Sequence, residues 1–198
     1  MMNTQLPKGR GAISDGKDTN LNEAPTRFIT KNAKTLVIYF SRSGNTEYQA
    51  KIAQKVLHAD SYELIAKNSY PTDYDATVSR SNQEQAGSLP QLVTDDLPNF
   101  DQYDLLLLGS PIWGMTLANP MQKFLEQFGS QLGGKRIAEF TTNAGFGAGN
   151  AQRVLKELVP VSATILNDYT IRDTEIEKTN DQFKDWLQQT GVSRILCK

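Results

Sequence analysis

The chain has 198 residues, 38% of them hydrophobic and 22% charged, with a formal net charge of −1. That length suits one well-buried domain, and the near-neutral balance gives none of the basic footprint expected of a nucleic-acid-binding protein. A single cysteine, Cys197, and a single histidine, His58, exclude an internal disulfide, a thiolate or His-rich metal site, and a Ser-His or Cys-His catalytic pair of ordinary reach.

The charge is unevenly spread. Residues 1–34 hold six Lys/Arg and three Asp/Glu, a balance of +3, which leaves −4 for residues 35–198. Residues 1–33 are polar and aperiodic and read as a flexible leader, or an arm lying on the domain, dispensable for folding. Residues 34–198 form the domain. No apolar run approaches a membrane span and no signal peptide precedes the domain, so a cytoplasmic monomer or weak dimer is expected.

From Thr35 the pattern alternates in chain order. The run 35–40 (TLVIYF) is apolar and β-branched, as expected of a strand buried on both faces of a parallel sheet. Residues 46–57 read as an amphipathic helix with Ala50, Ala53, Val56 and Leu57 on one side, and Thr46 with Gln49 as a capping box. A second strand is predicted at 61–65 (SYELI), a third at 104–109 (DLLLLG) and a helix at 121–128. Between the second and third strands, residues 66–103 contain two prolines before Asp95 and are expected to be partly irregular. A fourth strand at 136–142 (RIAEFTT), a helix at 150–159, a fifth strand from Ala163 toward Tyr169 and Ile171, and a helix at 179–189 complete the chain. Repeated strand-helix alternation implies an open parallel sheet wrapped by helices.

In such a sheet, ligands bind beyond the carboxyl ends of the strands, at the point where strand order reverses. Three segments fall there. Ser41-Arg42-Ser43-Gly44-Asn45-Thr46 places hydroxyls and an amide beside the free N–H groups of a helix start, a site suited to phosphate. It lacks the Gly-Lys-Ser/Thr ending of a nucleoside-triphosphate loop and the Gly-x-Gly-x-x-Gly of a dinucleotide fold; as plain structure it is a turn. Pro111-Ile112-Trp113-Gly114 sets an indole beyond a buried strand, where it stacks on a flat ligand or folds back as a plug. Thr142-Asn143-Ala144-Gly145-Phe146-Gly147-Ala148-Gly149-Asn150 is a glycine-rich loop whose backbone can approach a planar ring, its amides and carbonyls free to bond the ring's edge.

Phosphate site, stacking aromatic and backbone-lined ring edge together have the shape of FMN. The motifs YFS-x-SGNT, PIW and T-x-x-G-x-G-x-G-N resemble those of the flavodoxin family, specifically a bacterial flavodoxin-like group, over residues 35–190. Tyr70-Pro71…Tyr74 and Pro120…Phe124-Leu125-Glu126 add to the match. The resemblance implies an α/β three-layer sandwich with a five-stranded parallel sheet in the order 2-1-3-4-5 and helices on both faces. It also implies roles. Ser41, Ser43, Gly44, Asn45 and Thr46 match the phosphate loop, with Arg42 inside it, neutralising the phosphate or, the reading preferred, facing solvent. Pro111, Ile112, Trp113 and Gly114 match the loop covering one face of the isoalloxazine, and Thr142, Asn143, Ala144, Gly145 and Gly147 match the loop along its pyrimidine edge. The group usually carries a second Trp where Gly114 stands and a proline where Ala118 stands, which leaves one flavin face open or covered by Tyr70 or Met115.

No Cys, His or Lys stands in the three loops, so FMN supplies the redox chemistry. A one- or two-electron carrier is expected, with Asp73, Asp75, Asp95 and Asp96 either a docking rim for a basic redox partner protein or, each taken singly, residues of a solvated loop. The alternative is an FMN-dependent NAD(P)H or quinone reductase with a small-molecule electron acceptor. A phospho-accepting receiver domain fails, because Tyr39-Phe40-Ser41 and Gly109-Ser110-Pro111 stand where its acids are needed.

Overall fold

The segment Thr35–Tyr39 shows how the molecule is layered. Leu36, Ile38 and Phe40 face one way, Val37 and Tyr39 the other, and all five are buried. A strand with two apolar faces needs helices on both. The structure, a computed structural model, describes residues 24–191. In chain order its elements are β1 (Arg27–Phe28), β2 (Thr35–Tyr39), α1 (Asn45–Leu57), β3 (Asp60–Glu63), β4 (Ile65–Ala66), α2 (Tyr74–Ala86) and β5 (Leu92–Val93). They continue with β6 (Leu105–Trp113), β7 (Thr116–Leu117), α3 (Asn119–Phe128), β8 (Arg136–Asn143), α4 (Ala151–Leu158), β9 (Thr164–Ile165), β10 (Tyr169–Arg172) and α5 (Asn180–Gly191).

The sheet order is β1-β3-β2-β6-β8-β10. Strands β3, β2, β6, β8 and β10 are mutually parallel, which is the order 2-1-3-4-5. The fifth position is shared: β9 pairs with the start of β8 and β10 with its end, so that strand breaks at residues 166–168. One core lies under α3 and α4 with Leu106, Ile137, Phe124 and Leu155; the other lies under α1 and α5 with Leu107, Phe140, Ala53 and Phe183. At the centre, Gly109 is registered between Tyr39 and Phe140, where a Cβ would come within 2.3 Å of the Phe140 ring. No helix among the described residues is long and apolar enough to cross a membrane.

The structure adds detail to two sequence expectations. Residues 66–103 include a 13-residue helix, α2, capped by Asp73, which accepts from Ala76 N at 2.8 Å. Only Thr77 and Ser81 of this helix are buried, so it has no apolar stripe to announce it. The leader is divided as well. Residues 1–23 lie outside the described residues, but residues 24–33 are not a separate flexible segment. β1 adds an antiparallel edge to β3, and buried carboxylates hold it there. Asp60 Oδ1 accepts from Thr30 N and Thr30 Oγ1 at 3.0 and 2.8 Å, and Glu63 Oε2 accepts from Thr26 N at 3.0 Å. Arg27 pairs with Asp96 at 2.6 Å and lies over the Tyr62 ring.

Hydrogen bonds to charged groups contribute roughly 1.5–3 kcal/mol each. Ordering the arm's backbone offsets much of this, so a chain beginning at Lys34 should lose about 2–4 kcal/mol in urea unfolding, and a chain beginning at Ala24 should keep full-length stability. A second expected outcome concerns Glu139, which is buried in β8 with neither carboxylate oxygen partnered. Burial, helped by Asp168, pushes its pKa from 4.5 up to about 8. The folded state thus holds a proton that the unfolded chain releases, so this group's share of stability is present below pH 4.5 and lost as pH rises through 8. Glu139→Gln should flatten that decline and be the more stable protein at pH 8, as read by unfolding across pH.

Candidate functional site

β2 ends at Tyr39, and its chain reaches α1 through a short loop at the carboxyl edge of the sheet. Gly44 occupies the N-cap with φ 88°, a left-handed conformation that glycine adopts without steric cost. Its amide donates to Ser41 Oγ at 3.1 Å, and no side chain caps the helix. The first turn of α1 therefore presents backbone N–H groups and the positive end of its dipole to the edge. Thr46 is not the cap that the sequence suggested. It lies inside the first turn, and its hydroxyl pairs with that of Thr142 at 2.8 Å, tying α1 to β8. Asn45 is buried with Oδ1 unpartnered. Arg42 does not face solvent: it is 5% exposed, and Nη1 donates to Thr72 O at 3.2 Å.

The Pro111–Trp113 segment is strand rather than loop. β6 runs on through Trp113 and turns back into β7, with Ile112 opposite Leu117 and Trp113 opposite Thr116. Gly114 and Met115 form the turn with φ 57° and 64°, as a tight two-residue hairpin requires. Behind it the indole of Trp113 meets Phe40 and Tyr70 edge-to-face at 5.4 and 4.9 Å. Tyr70 is fully buried, with its hydroxyl donating to Glu84 at 2.6 Å, so it supports Trp113 and covers no ligand. Asn119 donates to the same carboxylate at 2.8 Å, and its Oδ1 accepts from Gln85 at 3.0 Å.

The glycine loop is organised by one side chain. Asn143 Oδ1 accepts from Gly145 N at 2.8 Å and Gly147 N at 3.2 Å, while Nδ2 donates to Thr170 Oγ1 and Ile171 O at 3.1 Å. Those two glycine amides are committed to Asn143, which leaves the loop's other amides and its carbonyls for a ring edge. At the loop's far end a Cβ on Gly149 would lie 2.1 Å from Met115 O, which accepts from Asn150 N. The hairpin and the glycine loop are thus backbone to backbone.

Together the segments line a cavity of about 150 Å³ that opens to solvent. Ser41, Arg42, Ser43, Asn45, Thr46, Pro111, Ile112, Trp113, Gly114, Thr142, Asn143 and Ala144 line it, and Gly44, Gly145 and Gly147 lie in its loops without lining it. The sequence reading missed one wall. Tyr74, Thr77, Val78, Ser81 and Asn82 of α2 also line the cavity, at helical spacings of three and four. The Tyr70-Pro71…Tyr74 motif marked the place without revealing the stripe. Asp173, just beyond β10, completes the lining, and it and Arg42 are the two charged residues there. Asp173 is 4% exposed, and burial raises its pKa against the opposing effects of Thr174 N and Arg172. Of the four acids read as a docking rim, Asp73 caps α2 and Asp96 serves Arg27 and Tyr62.

An open parallel α/β sheet with a phosphate-suited helix start, an aromatic hairpin and a glycine loop at its switch point defines a nucleotide-cofactor class of domain. The flavodoxin family model matches residues 34–190, and the chain belongs to that family. Among solved structures, proteins classed as flavoproteins from Bacteroides uniformis and Bacteroides eggerthii are each 26% identical with a TM-score of 0.67. The first alignment covers 80% of this chain and 99% of the other, and the second covers 82% and 100%. A flavoprotein from Lactobacillus acidophilus in complex with FMN shares the fold at 24% identity, with a TM-score of 0.59 over 74% of this chain and 97% of its own.

The two kinds of glycine separate in an unfolding experiment. Gly44 has open space around its Cβ position, so Gly44→Ala should cost only the left-handed backbone strain, about 1–2 kcal/mol. Gly149→Ala adds a clash with Met115 O and should cost more than that.

Proposed function

We propose that the protein binds FMN in this cavity and is an FMN-dependent electron-transfer protein. The observation that carries the reading is the uncapped first turn of α1 opening into the same cavity as Trp113. The amides of that turn, with Ser41, Ser43, Asn45 and Thr46, would hold the phosphate; the buried Arg42 would balance its charge. Trp113, held edge-on by Phe40 and Tyr70, would pack against the ring, with Ala144 and the backbone at Thr142 and Asn143 along its edge. The flavin supplies the one- or two-electron chemistry when bound. Among the described residues no Cys, His or Lys lines the cavity, and the lining side chains would bind and orient the cofactor.

A second reading, a reductase passing electrons to a small planar acceptor, is favoured by the mouth. Tyr74, Val78, Met115 and Phe146 are exposed apolar side chains on α2, the hairpin turn and the glycine loop, and Phe146 is 76% exposed. An apolar rim suits an uncharged ring better than a basic protein surface. Steady-state oxidation of NADPH with a quinone acceptor separates the two: turnover by the purified protein alone makes it a reductase, and turnover only with an added reductase makes it a carrier.

FMN should bind more tightly than riboflavin by roughly 1.5–3 kcal/mol, the contribution of hydrogen bonds to a charged group, and FAD should gain nothing over FMN. Trp113→Ala should weaken FMN binding by about 1–3 kcal/mol through lost stacking and burial. Titration followed by flavin fluorescence checks both; equal affinity for riboflavin and FMN would remove the phosphate from α1.

A further inference from the structure

We propose that Glu84, which does not line the FMN cavity, is the positioning residue for Trp113. Its carboxylate fixes both the indole and the backbone of that residue and so, resting on the FMN reading above, sets how tightly a flavin ring is held. Two routes lead from Trp113 to this one group. The first runs through the ring. Tyr70 meets the indole edge-to-face at 4.9 Å, and its hydroxyl donates to Glu84 Oε2 at 2.6 Å. The second runs through the backbone. Gln85 Nε2 donates to Trp113 O at 3.4 Å and to Asn119 Oδ1 at 3.0 Å, while Asn119 Nδ2 donates to the same Glu84 Oε2 at 2.8 Å. One oxygen therefore receives both routes.

Arg80 closes the arrangement from the other side. Its Nε donates to Glu84 Oε1 at 2.8 Å, and its guanidinium lies over the Tyr70 ring, 4.0 Å from the centroid. Burial and the neighbouring carboxylate keep the Tyr70 phenol in its protonated, donating form. An ion pair four residues apart on a helix is by itself ordinary surface structure. Arg153–Glu157 on α4 is such a pair, with side chains 62% and 55% exposed. Arg80 and Glu84 are 24% and 13% exposed, and Glu84 also serves Tyr70 before α2 and Asn119 at the start of α3. A carboxylate suits this place because it accepts at both oxygens and donates from neither. The isosteric amide would turn one side into a donor that faces donors. Aromatic stacking depends on the offset and tilt of the rings, and an indole already held in place has less freedom to lose when a ligand binds.

The test uses the full chain with FMN and with lumiflavin, which has the ring without the sugar-alcohol chain or phosphate. Glu84→Gln should bind both about three- to tenfold more weakly, the range that aromatic geometry commands. In a Trp113→Ala background the same substitution should bring no further loss, because the side chain it acts through is gone. Tyr70→Phe and Gln85→Ala each cut one route, and each should lose less than Glu84→Gln. A Trp186→Phe chain keeps Trp113 as its sole tryptophan. In that chain, without ligand, Glu84→Gln should weaken the near-ultraviolet circular dichroism of the indole and leave the far-ultraviolet signal unchanged. The far-ultraviolet signal is the fold check, and where Glu84→Gln does not fold the same cycle is read on Tyr70→Phe and Gln85→Ala. Unchanged lumiflavin affinity in a folded variant would overturn the proposal, and so would a loss undiminished in the Trp113→Ala background. Wild type binding neither ligand would instead overturn the FMN reading itself.

Discussion

The first turn of α1 carries backbone amides that no side chain caps, and the site is arranged around that deficit. β2 is apolar on both faces and supplies nothing polar, so its chain must turn within a few residues to place a helix start at the sheet edge. Gly44 makes the turn, Ser41 fixes it by accepting the Gly44 amide, and Thr46 anchors the helix to β8 through Thr142. Because parallel strands all end at the same edge, β6 and β8 deliver their own loops beside it. The first turn of α1, Trp113 and the glycine loop are gathered at one cavity by that geometry.

The Trp113 side is stiffened by polar groups rather than by apolar packing alone. Tyr70, Glu84, Arg80, Asn119 and Gln85 form a hydrogen-bonded group spanning α2 and α3 behind the hairpin. Ala118 is informative here. Its amide donates to both Ser110 Oγ and Pro111 O at 3.0 Å, closing the base of the hairpin. A proline, usual at this place in the group the motifs resemble, has no amide to give. The hairpin that carries Trp113 and Gly114 is thus fastened by a bond that a proline could not make.

Much of this was legible in the sequence because it rests on local pattern. Apolar runs such as 35–40 and 104–109 can only be strands buried on both faces, and alternation with helices fixes a parallel sheet. The loops after three strands had unusual compositions, and the structure brings them to one cavity. What escaped depends on distant partners. Thr26 and Thr30 look like leader residues until Glu63 and Asp60 are seen to receive them. Arg42 reads as a solvent-facing cation because Thr72 is far away in sequence. α2 presents a cavity stripe of mixed polarity, which has no hydrophobic period to detect. Asp173 follows a strand broken in two, so neither the strand's end nor its alignment with Asn143 could be read from spacing.

Asn143 uses Oδ1 twice and both hydrogens of Nδ2 within the protein itself, to Gly145, Gly147, Thr170 and Ile171. The glycine loop is therefore shaped by its own strand and the neighbouring one, with no contribution asked of a ligand. Glycines give such a loop the largest conformational entropy to lose on ordering, and here that loss accompanies folding rather than binding. The protein behaves as a finished socket at this edge. On the FMN reading, a cofactor would leave and return while the loop kept its form, and exchange of cofactor would be a separate process from folding.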